Sequence, residues 1–192
     1  MIKARPYDQS GRTAPLQEYG NKRIGELYKR MRDVDDDCEN LDDCVKLSEI
    51  YPFQPFSVLN YRVTPLRAAH DPAECCLIFL IEDEAGKTLL YGNDTAYFPE
   101  ETWEQLRGRR LGLVSLDCTM GTLGDGAPHM GWNGDVRTKE RLEAMGGVHD
   151  NTVFILNHFS HNCGHGLSHE EMEVLAAPKG FLVACDGFTA EV

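Results

Sequence analysis

The sequence predicts a layered α/β domain, and three observations carry that expectation. Short apolar runs ending in polar or glycine-rich turns recur from Phe53 onward. Segments with helical spacing separate the later runs. The order along the chain is helices, then a strand cluster, then alternating helix and strand. At 192 residues, 42% hydrophobic and 26% charged, the chain has the size and composition of one domain with a substantial core.

Residues up to about Gly20 are polar and carry Pro6, Gly11 and Pro15, which predicts an irregular segment. Asn21 is placed to cap a helix through about Arg32, where Ile24, Leu27, Tyr28 and Met31 recur at helical spacing. The acidic run Asp33 to Asp37 reads as a solvated loop, and Leu41 to Ile50, with Leu41, Val45 and Leu47 apolar, as a short helix. Residues 1–50 thus form an N-terminal part distinct from 51–192.

Phe56 to Val63 partly alternates and reads as one strand; Val63 to Ala69 continues as an apolar run closed by His70. Cys75 to Ile81 is continuously apolar, as in a strand buried on both faces. Asp83 to Gly86 predicts a hairpin turn into Thr88 to Tyr91. Pro99 to Leu106 reads as a helix, with Pro99 suited to the first turn and Glu100 and Glu101 near its positive end. Leu111 to Leu116 is a strand ending at Asp117, followed by a glycine-rich loop through Gly134. Asp135 to Met145 is an amphipathic helix stopped by Gly146-Gly147. Thr152 to Leu156 is a strand, Ser168-His169-Glu170-Glu171 a capping box opening a helix to about Ala176, and Phe181 to Ala184 the last strand.

A net charge of −12 argues against a general nucleic-acid-binding surface, since phosphate affinity comes from lysine and arginine. No apolar run reaches membrane-spanning length and Met1 to Pro6 lacks the apolar core of a signal peptide, so a cytoplasmic location is expected. The seven cysteines include no C-x-x-C pair; Cys75, Cys76 and Cys185 lie in apolar runs and read as buried thiols of a reduced compartment. Gly121 to Gly126 is glycine-rich but lacks the lysine of a nucleotide-triphosphate loop, and neither a dinucleotide fingerprint nor a G-x-S-x-G elbow is present.

His70, Asp94 and His158 each follow an apolar, strand-like run, which predicts one site along one sheet edge. Two imidazoles and a carboxylate suit zinc, manganese or iron, and a carboxylate can be shared between two ions. Singly, each has another reading: a satisfied histidine, a turn-forming or helix-capping Asp94, an Asp117 that caps the following loop. His129, in a flexible loop before a helix, is a proton donor to a leaving group, a partner for a substrate oxyanion, or an exposed loop histidine. His161, His165 and His169 recur every four residues around Cys163, but Gly164 and Gly166 interrupt any helix and the capping box starts one only at Ser168.

Together these segments resemble the metallo-β-lactamase-fold hydrolases, and within them the branch of phosphoribosyl cyclic phosphodiesterases and tRNA 3′-processing ribonucleases. The resemblance rests on Thr64 to His70, Leu89 to Thr95, Val153 to His161, His129 and the closing Asp186-Gly187. It covers roughly Tyr51 to the C-terminus, more weakly back to Tyr19-Gly20-Asn21, and the family signature H-x-H-x-D-H is absent. It implies a partial αββα fold, mainly the second half, whose uncovered sheet pairs with a missing half or another copy of the chain. By the same resemblance, His70, Asp94 and His158 are ligands of two divalent metals, zinc or manganese, with Asp94 shared. His129 assists phosphoryl chemistry, and His161, Asp117 and Asp186 support the ligands or touch substrate. The implied function is a phosphodiesterase-like metal-dependent hydrolase, catalytically incomplete as this chain alone, acting on a small-molecule phosphodiester or RNA. The alternatives are a non-catalytic binding or regulatory subunit, and a mononuclear hydrolase that adds His161 or His165.

Overall fold

A computed structural model of the chain describes residues 14–34, 45–160 and 167–191. These form two compact units, Met1–Tyr51 and Pro52–Val192.

In the first unit, strand β1 (Leu16–Gly20) leads into helix α1 (Lys22–Val34), which returns to strand β2 (Val45–Glu49). The side chain of Asn21 accepts from Ile24 N at 3.1 Å, satisfying one of the amides a helix start leaves open. The two strands pair in parallel, Leu16 opposite Val45 through Gly20 opposite Glu49. This corrects two expectations. Leu16–Gly20 is not irregular, because its backbone partner lies in a distant segment that local polarity does not reveal. Val45–Glu49 is not helical: Val45 and Leu47 stand two residues apart, the strand period, and so share one face.

The second unit is built on a seven-stranded sheet whose spatial order equals its sequence order, β3 to β9. The strands are β3 (Phe56–Val58), β4 (Tyr61–Arg67), β5 (Leu77–Glu82), β6 (Thr88–Gly92), β7 (Leu113–Asp117), β8 (Val153–Asn157) and β9 (Phe181–Val183). The expected single strand Phe56 to Val63 is instead two, folded back antiparallel at Leu59-Asn60, with Leu59 at φ 51°. The pairs β3–β4, β4–β5 and β5–β6 are antiparallel, and β6 through β9 are parallel. The turn between β5 and β6 is held by Asp83, whose Oδ1 accepts from Ala85 N and Lys87 N at 2.9 and 2.8 Å.

Helices α2 (Glu100–Leu106), α3 (Trp132–Ala144) and α4 (His169–Ala176) follow β6, β7 and β8, as a parallel crossover requires. Helix α3 starts at Trp132, three residues before Asp135, directly after the cap Gly131. The α4 capping box forms as the sequence predicts.

The core gathers Leu66, Ile78, Leu90, Leu116 and Leu156 from successive strands against Phe98 and Trp103. Trp103 is buried, and its indole nitrogen donates to Phe98 O at 2.9 Å. Arg141 on α3 lies 4.4 Å over the Trp103 ring and makes a bidentate pair with Glu100, tying α2 to α3. Cys118 is buried, whereas Cys75 and Cys76 are half-buried and Cys185 is exposed, which corrects the expectation for those three. Cys75 and Cys76 precede β5 instead of lying in it, and Cys185 follows β9. Among the described residues no helix is long and apolar enough to cross a membrane.

Gly92 ends β6 where backbones and core meet: an added Cβ would lie 2.8 Å from Phe98 Cζ and 3.2 Å from Ser115 O. Gly92→Ala is therefore expected to destabilise the fold by about 1–3 kcal/mol, measured as a lowered urea midpoint at unchanged m-value.

Candidate metal centre

Strand direction assembles the site. β4 and β6 both run antiparallel to β5, and β7, β8 and β9 run parallel to β6. The C-terminal ends of β4, β6, β7, β8 and β9 therefore share one sheet edge, where open α/β sheets place their ligands. His70, Asp94, Asp117, His158 and Asp186 lie at or just beyond those five ends.

Asp94 Oδ1 is the hub. His70 Nε2 lies 3.2 Å from it, His129 Nδ1 3.7 Å and His158 Nε2 3.8 Å. The imidazoles stand close together, with ring centroids 5.1 Å apart for His70 and His129 and 5.6 Å for His129 and His158. One donor atom from each of Asp94, Asp117, His129 and His158 falls within 4.8 Å of all the others. Asp94 and His158 occupy the left-handed region at φ 58° and 60°. Such backbone costs about 1–2 kcal/mol at a residue with a Cβ and concentrates at functional sites.

Asp117 supports this cluster from below. Its side chain is fully buried, and both oxygens are engaged. Oδ1 accepts from Thr119 N at 2.8 Å; Oδ2 accepts from Thr95 N and His129 Nδ1, each at 2.9 Å. The carboxylate offers no proton, so His129 must carry hydrogen on Nδ1, and its Nε2 is the atom left to meet another partner.

Thr119 fixes His158 in a similar way. Its hydroxyl lies 2.7 Å from both His158 O and His158 Nδ1. The carbonyl can only accept, so the single hydroxyl proton goes there, and Nδ1 must donate to Oγ1. Nε2 of His158 is then unprotonated and faces Asp94, the state that metal ligation needs. Thr95 joins the loops: Oγ1 accepts from Ala69 N at 2.9 Å and its carbonyl accepts from Met130 N at 3.0 Å.

The loop bearing His129 is held, not free. His129 N donates to Gly126 O at 2.7 Å, and Asp125 accepts from Gly134 N and Arg137, both at 2.6 Å. His129 is 19% exposed, which removes the reading of an exposed loop histidine.

The structure therefore brings together His70, Asp94, Asp117, His129 and His158. Asp186 stands apart, on the wall of a neighbouring cleft. His161, with His165 and Cys163, lies outside the described residues. His169 is turned to Val183 O at 3.4 Å and Glu173 at 3.7 Å. Thr95 and Thr119 were not read from the sequence, although N-D-T and D-x-T at strand ends are patterns that offer a hydroxyl to neighbouring backbone.

The imidazoles of His70 and His158 with the exposed Asp94 carboxylate fit a divalent transition metal, whose preferred donors these are; the His129 nitrogen that faces Asp94 carries the hydrogen given to Asp117. Asp117 fits less well as a ligand, because protein donors already take up its oxygens.

Behind the site, on the first turn of α3, Asp135 is fully buried, and the polar group its carboxyl meets is the Cys118 thiol, a weak donor. Burial pushes its carboxyl well above the usual carboxylate range, and the neighbouring Cys118 thiol is pushed up by the same cause.

A family model described as the beta-lactamase superfamily domain matches residues 7–159. A search of curated proteins finds no match. Among solved structures, the metallo-beta-lactamase fold protein YhfI from Bacillus subtilis is 19% identical, with a TM-score of 0.62 over 91% of this chain and 64% of that one. Zn(2+)-bound PqqB from Methylobacterium extorquens is 16% identical, with a TM-score of 0.59 over 93% of this chain and 63% of that one. The short form of human tRNase Z is 14% identical, with a TM-score of 0.55 over 79% of this chain and 64% of that one. At these identities the likeness is one of fold, and the chain spans less than two thirds of each structure's length.

Two outcomes are expected from the site's hydrogen bonds. Thr119→Val removes the nearer acceptor at His158 Nδ1 and leaves Asp117 Oδ2 at 3.5 Å, so ring ¹⁵N shifts of the metal-free protein should move from the Nδ1–H form toward a tautomer mixture. Asp135 has a raised folded-state pKa, so the native state holds its proton after the unfolded chain has released it. Stability then falls as pH rises from the unfolded-state value, about 4, through the folded one. Asp135→Asn should flatten that decline in urea midpoints measured across acid to neutral pH.

Proposed function

The chain belongs to the beta-lactamase superfamily, and we propose that its cluster is part of a metal-dependent hydrolase site of the phosphodiesterase-like branch. The observation that carries this reading is the meeting of His70, His129 and His158 at Asp94 Oδ1. The fold shared with human tRNase Z, a protein whose name denotes action on tRNA, supports the branch.

In this reading His70, Asp94 and His158 would hold two zinc or manganese ions. A divalent cation, when bound, supplies Lewis acidity toward water and a phosphoryl oxygen. The chain's own residues supply position and protons. Thr119 keeps the His158 lone pair on Nε2, and Asp117 keeps the His129 proton on Nδ1. His129 can then carry a second proton on Nε2 and release it to the departing alkoxide, while the buried Asp117 carboxylate stabilises the cationic ring.

Two protein ligands per cation fall below the three typical of a catalytic zinc site. The working site accordingly draws further ligands from outside this set, and the chain by itself binds metal weakly and turns over slowly or not at all. A second reading, one ion held in a mononuclear site, is favoured by the compactness of the Asp94, Asp117, His129 and His158 donors. The occupied oxygens of Asp117 weigh against it.

Metal titration with a bis-p-nitrophenyl phosphate assay decides between them. Weak zinc or manganese uptake, lowered about 10- to 100-fold by Asp94→Asn or His158→Ala and unchanged by His129→Ala, is expected. Tight uptake of one ion, with turnover that disappears in His158→Ala, selects the mononuclear site. Uptake indifferent to Asp94 and His158 overturns both.

A further inference from the structure

The glycine-rich stretch Gly121 to Gly126 lacks the lysine of a phosphate loop, and its hydrogen bonds run to the start of α3 instead. A helix start leaves its first amides without partners inside the helix. The α3 cap is Gly131, which has no side chain to offer them. Two of those amides are satisfied from the glycine-rich stretch. Trp132 N donates to Gly121 O at 2.8 Å, and Gly134 N donates to Asp125 Oδ1 at 2.6 Å. Asp125 thus caps α3 from outside the helix, at the third amide, which a cap side chain ordinarily meets. Its negative charge also faces the positive end of the helix.

The fit leaves no slack. A Cβ added at Gly134 would lie 2.6 Å from Asp125 Oδ1, and one at Gly131 would lie 2.7 Å from Gly121 O. Asp125 Oδ2 accepts from Arg137 at 2.6 Å, and that guanidinium lies 4.8 Å over the Tyr97 ring. Arg137 is 55% exposed, so the ion pair adds little by itself and the cap on Gly134 carries the hold.

Asp125 is joined directly to the hairpin that bears His129. Gly126, the next residue, pairs with His129 in both directions: Gly126 N donates to His129 O at 3.3 Å, and His129 N donates to Gly126 O at 2.7 Å. On the far side Met130 is buried, and its amide donates to Thr95 O at 3.0 Å. A residue's backbone is fixed when the peptides on both its sides are fixed, and His129 sits between these two anchors. Its ring then reaches Asp117 at 2.9 Å.

We propose that Asp125 is a positioning residue for His129: its cap on Gly134 holds the Gly126–His129 hairpin in the arrangement that brings His129 Nδ1 to Asp117. The proposal rests on the phosphodiesterase reading for the use made of His129, the release of a proton from Nε2. The hold on Nδ1 is a property of the chain itself. Asp125 acts through the hairpin and not on the substrate.

The readout is the His129 Nδ1–H proton in metal-free, ¹⁵N-histidine-labelled protein, assigned by its disappearance in His129→Ala. Bonded to a buried carboxylate, this proton exchanges slowly with water and gives a resolved resonance. Asp125→Ala should abolish the resonance, because the ring leaves Asp117 and its proton meets water. Gly134→Ala keeps the carboxylate but displaces it from the amide, and should abolish the resonance as well. Asp125→Asn keeps a side-chain carbonyl for Gly134 N and should retain it, although the charge that faces Arg137 is gone. Arg141→Ala cuts the Glu100 pair of the same helix, far along it from this loop, and should retain it too. A resonance that survives Asp125→Ala or Gly134→Ala overturns the proposal. So does loss in Asp125→Asn as complete as in Asp125→Ala, or loss in Arg141→Ala, which marks a response to stability alone. Failure of the phosphodiesterase reading has a different signature: the Nδ1–H pattern holds across the variants while cation uptake is indifferent to Asp94→Asn and His158→Ala.

Discussion

A carboxylate removed from water must be satisfied by the protein, and the way Asp117 is satisfied organises the whole site. It ends β7, and its oxygens take hydrogens from Thr119 just beyond, Thr95 beyond β6, and His129 in the long loop before α3. Three separate segments are thereby fixed to one buried charge. A hydrogen bond to a charged group is worth about 1.5–3 kcal/mol, and leaving such a charge unpaired would cost more than any one bond supplies. The loops therefore close around Asp117 together, and His129 is a rigid group although it sits on a loop.

The second constraint is the direction of the strands. One antiparallel strand, β5, separates β4 from β6, and from there the sheet is parallel. That pattern sends five strand ends to one edge and turns residues far apart in sequence into neighbours. The final placement is made by backbone that bulky residues avoid, at Asp94 and His158. Both are held there by the surrounding structure: Thr95 ties the Asp94 loop to Ala69 and Asp117, and Thr119 grips His158 at its carbonyl and its ring. The energy stored at those two positions is offset by packing of the strands behind them, where Leu90, Leu116 and Leu156 are wholly buried.

What the sequence made legible follows the range of the interactions. The α4 capping box and the β5–β6 turn are local and read directly from short strings. The strands of the second unit were legible because their apolar runs are strong. The first unit was harder, since β1 owes its existence to a parallel partner across a helix, and a five-residue segment with two apolar positions does not by itself choose between helix and strand. Phe56 to Val63 conceals its turn because Leu59 is apolar and yet adopts positive φ. The strand-end rule found Asp94 and His158 and pointed at Asp117, but not how Asp117 acts. That depends on Thr95 and Thr119, whose roles exist only once three loops meet. In the sequence Asp135 simply opens an amphipathic helix, because nothing local reveals that its carboxyl is buried.

The proposed site also couples its ligands by electrostatics. The chain carries a net charge of −12, and the cluster itself holds the two carboxylates of Asp94 and Asp117. An anionic phosphodiester approaching this edge meets the exposed carboxylate of Asp94, whose repulsion opposes binding. Cation binding at Asp94 and His158 reverses the sign of the local field. Under the proposed function, substrate affinity is therefore linked to cation affinity, and linkage is reciprocal: whatever the cation adds to substrate binding, the substrate adds to cation binding. A weakly held cation is then compatible with a selective site, since the pair can bind together where neither binds well alone. That coupling also explains how an acidic chain can serve an anionic substrate. The positive charge arrives with the cation, and the protein's task is to hold His70, His158 and the exposed Asp94 carboxylate ready for it.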